Sequence, residues 1–288
     1  TYPEGKVVSL KNRTTANAAV ESSGQTLKIN LGRTLASTMN FTLMYNRKET
    51  SSAGIVKNYK TSDVVIYATN NATTTSGPWC LGIPDGHKLV SVHRHTANVV
   101  LADVATAISN GQMVDITKEF ELDDGQQGAK YGLSSLKLKQ GSTATIGTHD
   151  TLAVKFRHFD IASGSGFASF DSYSPLIETT GTNAETPSAT KIATASVPIF
   201  TSQLSGRQFN LRDSIDFRPY VANTATKEGA FGSTATFNPS NTESISSSQK
   251  ISSPNKIWTA SIEYYLPRKD RLVMEDGALH IVRGIPST

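Results

Sequence analysis

Leu152-Ala153-Val154-Lys155-Phe156-Arg157-His158-Phe159 alternates residue by residue, placing Leu152, Val154, Phe156 and finally His158 on one face. A period of two suits a pleated strand and no helix. The same reading applies to Gln25–Leu31, to the β-branched run Asp63–Tyr67 and to the longer segment Ile257–Leu266. Val7-Val8-Ser9 and Phe41-Thr42-Leu43 add short strand candidates. Near the end, Leu272-Val273-Met274 and Leu279-His280-Ile281-Val282 flank Glu275-Asp276-Gly277-Ala278, and Asp-Gly between apolar runs predicts a hairpin. Only Val99–Ser109, with Val100, Val104 and Ile108 four apart and Asn110-Gly111 as a stop, reads as a helix. The expected fold class is therefore mainly β: β-sandwich-like modules with long Ser/Thr-rich loops and little helix.

Composition supports this. Thr and Ser number 34 and 33, so 67 of 288 residues carry a hydroxyl on a short side chain, while charged residues make up only 18%. A helical bundle needs Ala, Glu, Lys and Leu instead. No apolar run approaches the roughly 18 residues of a membrane span, and no membrane partner is expected. The formal net charge is +4, but the basic residues are scattered among acids and never stand three together. That distribution argues against nucleic acid as a partner. One cysteine, Cys80, cannot close an internal disulfide, which suits synthesis in a reducing cytoplasm.

Low-complexity tracts at Asn70–Gly77, Glu178–Thr190 and Thr224–Gln249 read as loops, the last as the best candidate for a segment ordered by neighbouring subunits. A boundary near Gly111 divides the chain into an N-terminal β unit, 1–112, and a C-terminal β unit, 113–288.

Motifs with chemical meaning are sparse. His93 and His95 share one strand face, as a metal pair would, but lack a third ligand at suitable spacing. Asp123-Asp124-Gly125-Gln126 lacks the alternating acids of a calcium loop and reads as a turn. Gly164-Ser165-Gly166 lacks the lysine of a phosphate loop. No Gly-x-Ser-x-Gly elbow accompanies them, and Cys80 has no evident histidine partner. We therefore expect no catalytic residue, no metal and no cofactor. The dense clusters are Arg212, Asp213, Asp216 and Arg218, and Arg268, Asp270 and Arg271. Arg and Asp flanked by apolar residues can form bidentate pairs that lock segments together. Leu211–Pro219 and Tyr264–Arg271 are expected to pack near one another, their Arg and Asp side chains pairing across the contact.

Three segments together resemble a family of structural proteins of contractile-tailed bacteriophages. Phe120–Gln126 with Tyr131–Leu138 is similar to its "LDxGQ … Y-x-L-x-x-L-x-L" element, which includes Asp123, Gly125 and Gln126. The Leu152 strand and Phe170-Asp171-Ser172-Tyr173 follow in the family's order. Leu211–Pro219 resembles "LRDxIDFRP". Tyr264, Tyr265, Pro267, Arg268, Asp270 and Arg271, with Asp276-Gly277 and Val282–Pro286, resemble the closing "YYLPRxDR … DG … V-x-G-x-P" element. Lys269 stands where an apolar residue is commoner. The resemblance covers roughly residues 115–288. It implies a non-enzymatic virion component, located in the tail after synthesis in the host cytoplasm. Its implied partners are other tail or baseplate proteins and copies of itself. An alternative reading is a receptor-binding adhesin that meets a host surface receptor, glycan or protein, through loops around Trp79 and Tyr67. A third is a polysaccharide-degrading enzyme.

Overall fold

The structure, a computed structural model, describes residues 18–21, 26–29, 53–68, 74–164, 166–174, 176–179, 184–187, 192, 196–225, 230–232, 235–246, 249, 251, 255, 257, 259 and 268–286. The chain divides into two compact units, Thr1–Lys48 and Glu49–Thr288. In the first, β1 (Ala18–Glu21) and β2 (Thr26–Ile29) pair antiparallel, Ala18 opposite Ile29.

The second unit holds the remaining strands: β3 (Val56–Tyr67), β4 (Trp79–Pro84), β5 (Gly86–His95), β6 (Val114–Asp115), β7 (Phe120–Asp123), β8 (Leu133–Leu138), β9 (Thr151–Ser163), β10 (Leu176–Thr179), β11 (Ala184–Pro187), β12 (Ile199–Thr201), β13 (Gln208–Asn210), β14 (Thr236–Phe237), β15 (Arg271–Glu275) and β16 (Ala278–Val282). A five-stranded sheet runs β14-β3-β9-β5-β6, antiparallel except where β14 joins β3 in parallel. A three-stranded sheet runs β4-β8-β7. The mainly β architecture expected from the alternation is the one observed. The domain division at 112 is not. Strands from both sides of residue 112 share the five-stranded sheet, because β9 pairs with both β3 and β5.

The alternation of the central strands decides the layering. Val64 and Ile66 of β3 and Leu152, Val154 and Phe156 of β9 face Trp79, Leu81, Ile83, Phe120 and Leu136 of the three-stranded sheet. These residues form one dry core, with Trp79 and Phe120 in an edge-to-face contact at 5.9 Å. Val65 and Ala153, one step out of phase, point the other way, to Val104, Ala107 and Met113. The sheet is thus covered on both faces at its centre.

The predicted helix is shorter than its pattern. A 3₁₀ turn, Leu101–Asp103, leads into α1, Val104–Ser109. Val104 and Ala107 are its buried residues, whereas Val100 stays 65% exposed. Gly111, at a φ of 70°, follows its end.

Two of the tracts read as loops hold strands. Glu178–Thr190 contains part of the β10–β11 hairpin, Leu176 opposite Pro187. Thr224–Gln249 contains β14 and is tied to its own chain: Thr224 N–H donates to Gly82 O at 2.8 Å, Phe231 N–H to Asp63 Oδ2 at 2.8 Å, and Tyr67 N–H to Asn238 Oδ1 at 2.9 Å. Asn238 satisfies backbone groups of β3 from both sides, since its own N–H donates to Val65 O at 2.9 Å. Residues 7–9 and 41–43 lie outside the described residues, as does most of the strand expected over 257–266.

The C-terminal hairpin forms as predicted. Leu272 pairs with Ile281 and Met274 with Leu279, across Asp276 and Gly277 at φ of 51° and 78°. Two successive positive φ angles match the twist of the strands they join.

Candidate functional site

Lys57 lies at the start of β3, where the alternation turns it and Tyr59 inward. An ammonium there needs a partner. Asp85 supplies it from the tight turn between β4 and β5, in left-handed backbone at a φ of 59°. Its carbonyl accepts the Phe159 N–H at 3.0 Å, which ties the turn to β9. Lys57 Nζ stands 2.9 Å from Asp85 Oδ2, with the two side chains 0% and 3% exposed.

Three tyrosines enclose the pair. Lys57 Nζ lies 4.4 Å from the ring centroid of Tyr173, 4.7 Å from that of Tyr131 and 5.3 Å from that of Tyr220. A desolvated cation gains about 2 kcal/mol from such a ring face. Lys57 also donates to the Tyr173 hydroxyl. Tyr220 donates its hydroxyl to Asp85 Oδ2 at 2.8 Å, and Gln126 Nε2 donates to Oδ1 at 3.1 Å. Both carboxylate oxygens are therefore held. Burial, reinforced by the Asp85 charge, pushes the Tyr220 hydroxyl far above its ordinary range, so it remains a donor.

A second layer locks this box. Tyr131 donates its hydroxyl to Asp216 Oδ2 at 2.6 Å. Arg218 grips Asp216 through Nε, at 3.1 and 3.0 Å from its two oxygens, and through Nη2 at 2.7 Å from Oδ2. The guanidinium lies 4.3 Å over the Tyr131 ring, and it also donates to Gln127 O at 2.8 Å and to Gln126 Oε1 at 3.3 Å. Burial alone would raise the Asp216 pKa. The hydrogen bonds from Arg218 and Tyr131 outweigh it and hold the carboxyl below its ordinary value. Asp216 also exchanges backbone hydrogen bonds with Ala168, both at 2.8 Å. Two clefts flank the box. One of about 360 Å³ is lined by Tyr131, Tyr173, Ile215 and Asp216, and one of about 370 Å³ by Pro84, Tyr220 and Val221.

The motif residues divide accordingly. Gln126, Asp216 and Arg218 meet in this network. Gly125, at a φ of 75°, sits so near Gly132 that a Cβ would lie 2.3 Å from its carbonyl oxygen. Asp123 accepts the Gly125 N–H at 2.9 Å and pairs with Lys137, and Asp124 accepts the Gln126 N–H at 2.8 Å. The segment is thus the turn read from its sequence. Arg212 and Asp213 stand apart as an exposed pair, Nε to Oδ1 3.5 Å with side chains 52% and 70% exposed. Arg268 pairs locally with Asp270 at 2.8 Å, and Asp270 also accepts the Gly284 N–H at 3.0 Å. Arg271 is exposed on β15 opposite Val282. Tyr264, Tyr265 and Pro267 lie outside the described residues. The Arg and Asp residues of both clusters are described, and each ion pair stays within its own cluster: Arg212 with Asp213, Arg218 with Asp216, and Arg268 with Asp270. The pairing expected across the two segments does not form among these described residues, because an Asp one or two positions away along the chain already meets each of these arginines.

Sequence reasoning did not single out Lys57, Asp85 or Tyr220. The available signal was a lysine at an inward position of an alternating strand, and an Asp-Gly turn at Asp85-Gly86. Trp79, expected on the surface for glycan stacking, is wholly buried in the core. His93 and His95 lie on β5 as expected, but among the described residues no group of three or more His, Cys, Asp or Glu is placed to hold a metal ion. No helix among them is long and apolar enough to cross a membrane. Comparison with known family models, curated proteins and solved structures returns no match.

Proposed function

We propose that this chain is a structural component of a bacteriophage tail, at the baseplate or the fibre attachment. It acts by permanent protein–protein assembly and turns over no substrate. One observation carries the reading. On the β15–β16 hairpin, Leu272, Met274, Leu279 and Ile281 share one face by register, and they are 65%, 71%, 62% and 66% exposed. An isolated two-stranded hairpin is marginal in water. A wholly apolar face on one is an interaction surface awaiting cover. Sister subunits or neighbouring tail proteins supply that cover.

The network around Lys57 fits the same role. Its polar groups are committed to each other and leave Asp85 and Asp216 engaged on both oxygens. That arrangement stiffens a module and turns its charged groups toward one another. Gln126, Tyr131, Tyr173, Asp216 and Arg218 of the network stand in segments that carry the phage resemblance, whereas Lys57 and Asp85 lie outside it. The test is mass-spectrometric quantification of the chain in purified mature particles, with and without Leu272→Thr plus Ile281→Thr. Stoichiometric incorporation that the double variant loses, while its monomer stays folded, is expected. Absence from the particles, or turnover of a host polysaccharide by the purified chain, overturns the reading.

A further inference from the structure

We propose that Lys57 and Asp85 condense to form an intramolecular isopeptide bond. The inference is independent of the assembly reading, since it concerns only groups inside one chain.

The two reacting groups touch, Nζ to Oδ2 2.9 Å, and are almost fully removed from water. Fixed contact replaces a bimolecular encounter, and such positioning supplies effective molarities of about 10⁵ M or more. The environment is also polarised for attack. Gln126 Nε2 donates to Oδ1, where negative charge develops in a tetrahedral intermediate, and Tyr220 donates to Oδ2. Oδ2 thus faces both the amine and a phenolic proton source.

The chemistry balances within the pair. One proton crosses from the Lys57 ammonium to Asp85 Oδ2, leaving a neutral amine and a carboxylic acid. The amine lone pair attacks Cγ and forms the N–C bond. A second proton passes from nitrogen to Oδ2, with the Tyr173 and Tyr220 hydroxyls adjacent as relays. The Cγ–Oδ2 bond breaks and one water leaves. The remaining N–H and the Cγ–Oδ1 carbonyl form the amide, with Gln126 still donating to Oδ1. No oxidant or external reactant enters. The cleft lined by Pro84 and Tyr220 borders the box where the water is released.

A competing loss of water exists, because Asp85 precedes Gly86 and an Asp-Gly pair can close to a succinimide through the glycine nitrogen. Here the Gly86 N–H is engaged by Ser134 Oγ at 3.0 Å and Asp124 O at 3.2 Å. The lysine amine is the nucleophile held against the carboxyl.

Intact-mass measurement of the folded wild-type chain tests the proposal. The expected mass is one water below the sequence value, and proteolysis is expected to release the Lys57 and Asp85 peptides as one branched species. Lys57→Met restores the full mass, and Gln126→Ala or Tyr220→Phe leaves a larger unbridged fraction at early times. A folded wild-type chain that keeps its full mass on prolonged incubation overturns the proposal. So does a water loss mapped to a succinimide at Asp85-Gly86, Asp124-Gly125 or Asp276-Gly277 with the Lys57 peptide linear. Both readouts use the wild-type protein, so a variant that fails to fold does not weaken the test.

Discussion

Tyr131 and Tyr220 stack face to face, with ring centroids 4.1 Å apart and planes 10° from parallel. Their backbones meet as well: Tyr131 N–H donates to Pro219 O at 2.9 Å, and Val221 N–H to Tyr131 O at 3.0 Å. Two segments far apart in sequence are thereby clamped side by side over Lys57. The hydroxyl of one ring reaches Asp216 and that of the other reaches Asp85, so a single aromatic pair joins both carboxylates of the network.

Asp216→Ala removes the acceptor for Arg218 and Tyr131 together. Both ionic partners are 27% exposed, so water compensates in part. The expected loss is about 2 kcal/mol, in line with hydrogen bonds to a charged group, read as a lower urea midpoint. The Asp216 pKa is depressed in the folded state. Its stabilisation is therefore present above the unfolded carboxyl pKa, near 4, and disappears as pH falls through the lower folded value. Wild type and variant should converge in stability at strongly acidic pH. A gap that stays constant there would refute the assignment.

Relative to the unbridged Lys57–Asp85 pair, Asp85→Ala leaves a buried ammonium without its counter-charge, which costs roughly 3–5 kcal/mol. The double replacement Asp85→Ala with Lys57→Met removes both charges and should be milder than Asp85→Ala alone. Urea unfolding of the single and double variants gives the coupling. A double variant no better than the single would mean that the pair does not interact.

Asp63 behaves in the opposite sense to Asp216. Burial dominates and raises its pKa, against Lys155, 3.4 Å away, and the Phe231 N–H. A raised folded pKa means that its contribution is most favourable below about pH 4 and is lost as pH climbs through the folded value. The stability of Asp63→Asn relative to wild type should therefore shift in the variant's favour between pH 4 and pH 7. A difference independent of pH would contradict that sign.

Gly125→Ala and Gly141→Ala separate backbone strain from collision. Both glycines have positive φ, 75° and 84°, but a Cβ meets nothing within 4 Å at Gly141 and the Gly132 carbonyl oxygen at 2.3 Å at Gly125. Left-handed backbone costs an alanine about 1–2 kcal/mol at either site. Gly125→Ala should cost clearly more, because the Gln126 turn must also shift. Equal thermal midpoints for the two variants would show that the turn yields freely.

Much of the fold was legible along the chain. Leu152, Val154 and Phe156 share a buried face because a strand must alternate, and Asp276-Gly277 turns a hairpin because few other pairs accept two positive φ angles. The turn at Asp123–Gln126 was legible for the same local reason. The helix was overextended because Val100 keeps the spacing of a buried stripe while lying before the first helical turn. The expected boundary near Gly111 failed because strand pairing between β5 and β9 leaves no trace in local composition.

The sequence by itself determined strand character, turn chemistry and the Arg and Asp residues able to form bidentate pairs, since these depend on residues a few positions apart. Only the tertiary structure decided that Asp216 and Arg218 join Gln126 and Tyr131 while Arg212 and Asp213 face solvent. It alone brought Lys57 to Asp85 inside three tyrosine rings. Such meetings depend on long-range sheet register and on the burial it creates, and neither is written in the spacing of neighbouring residues.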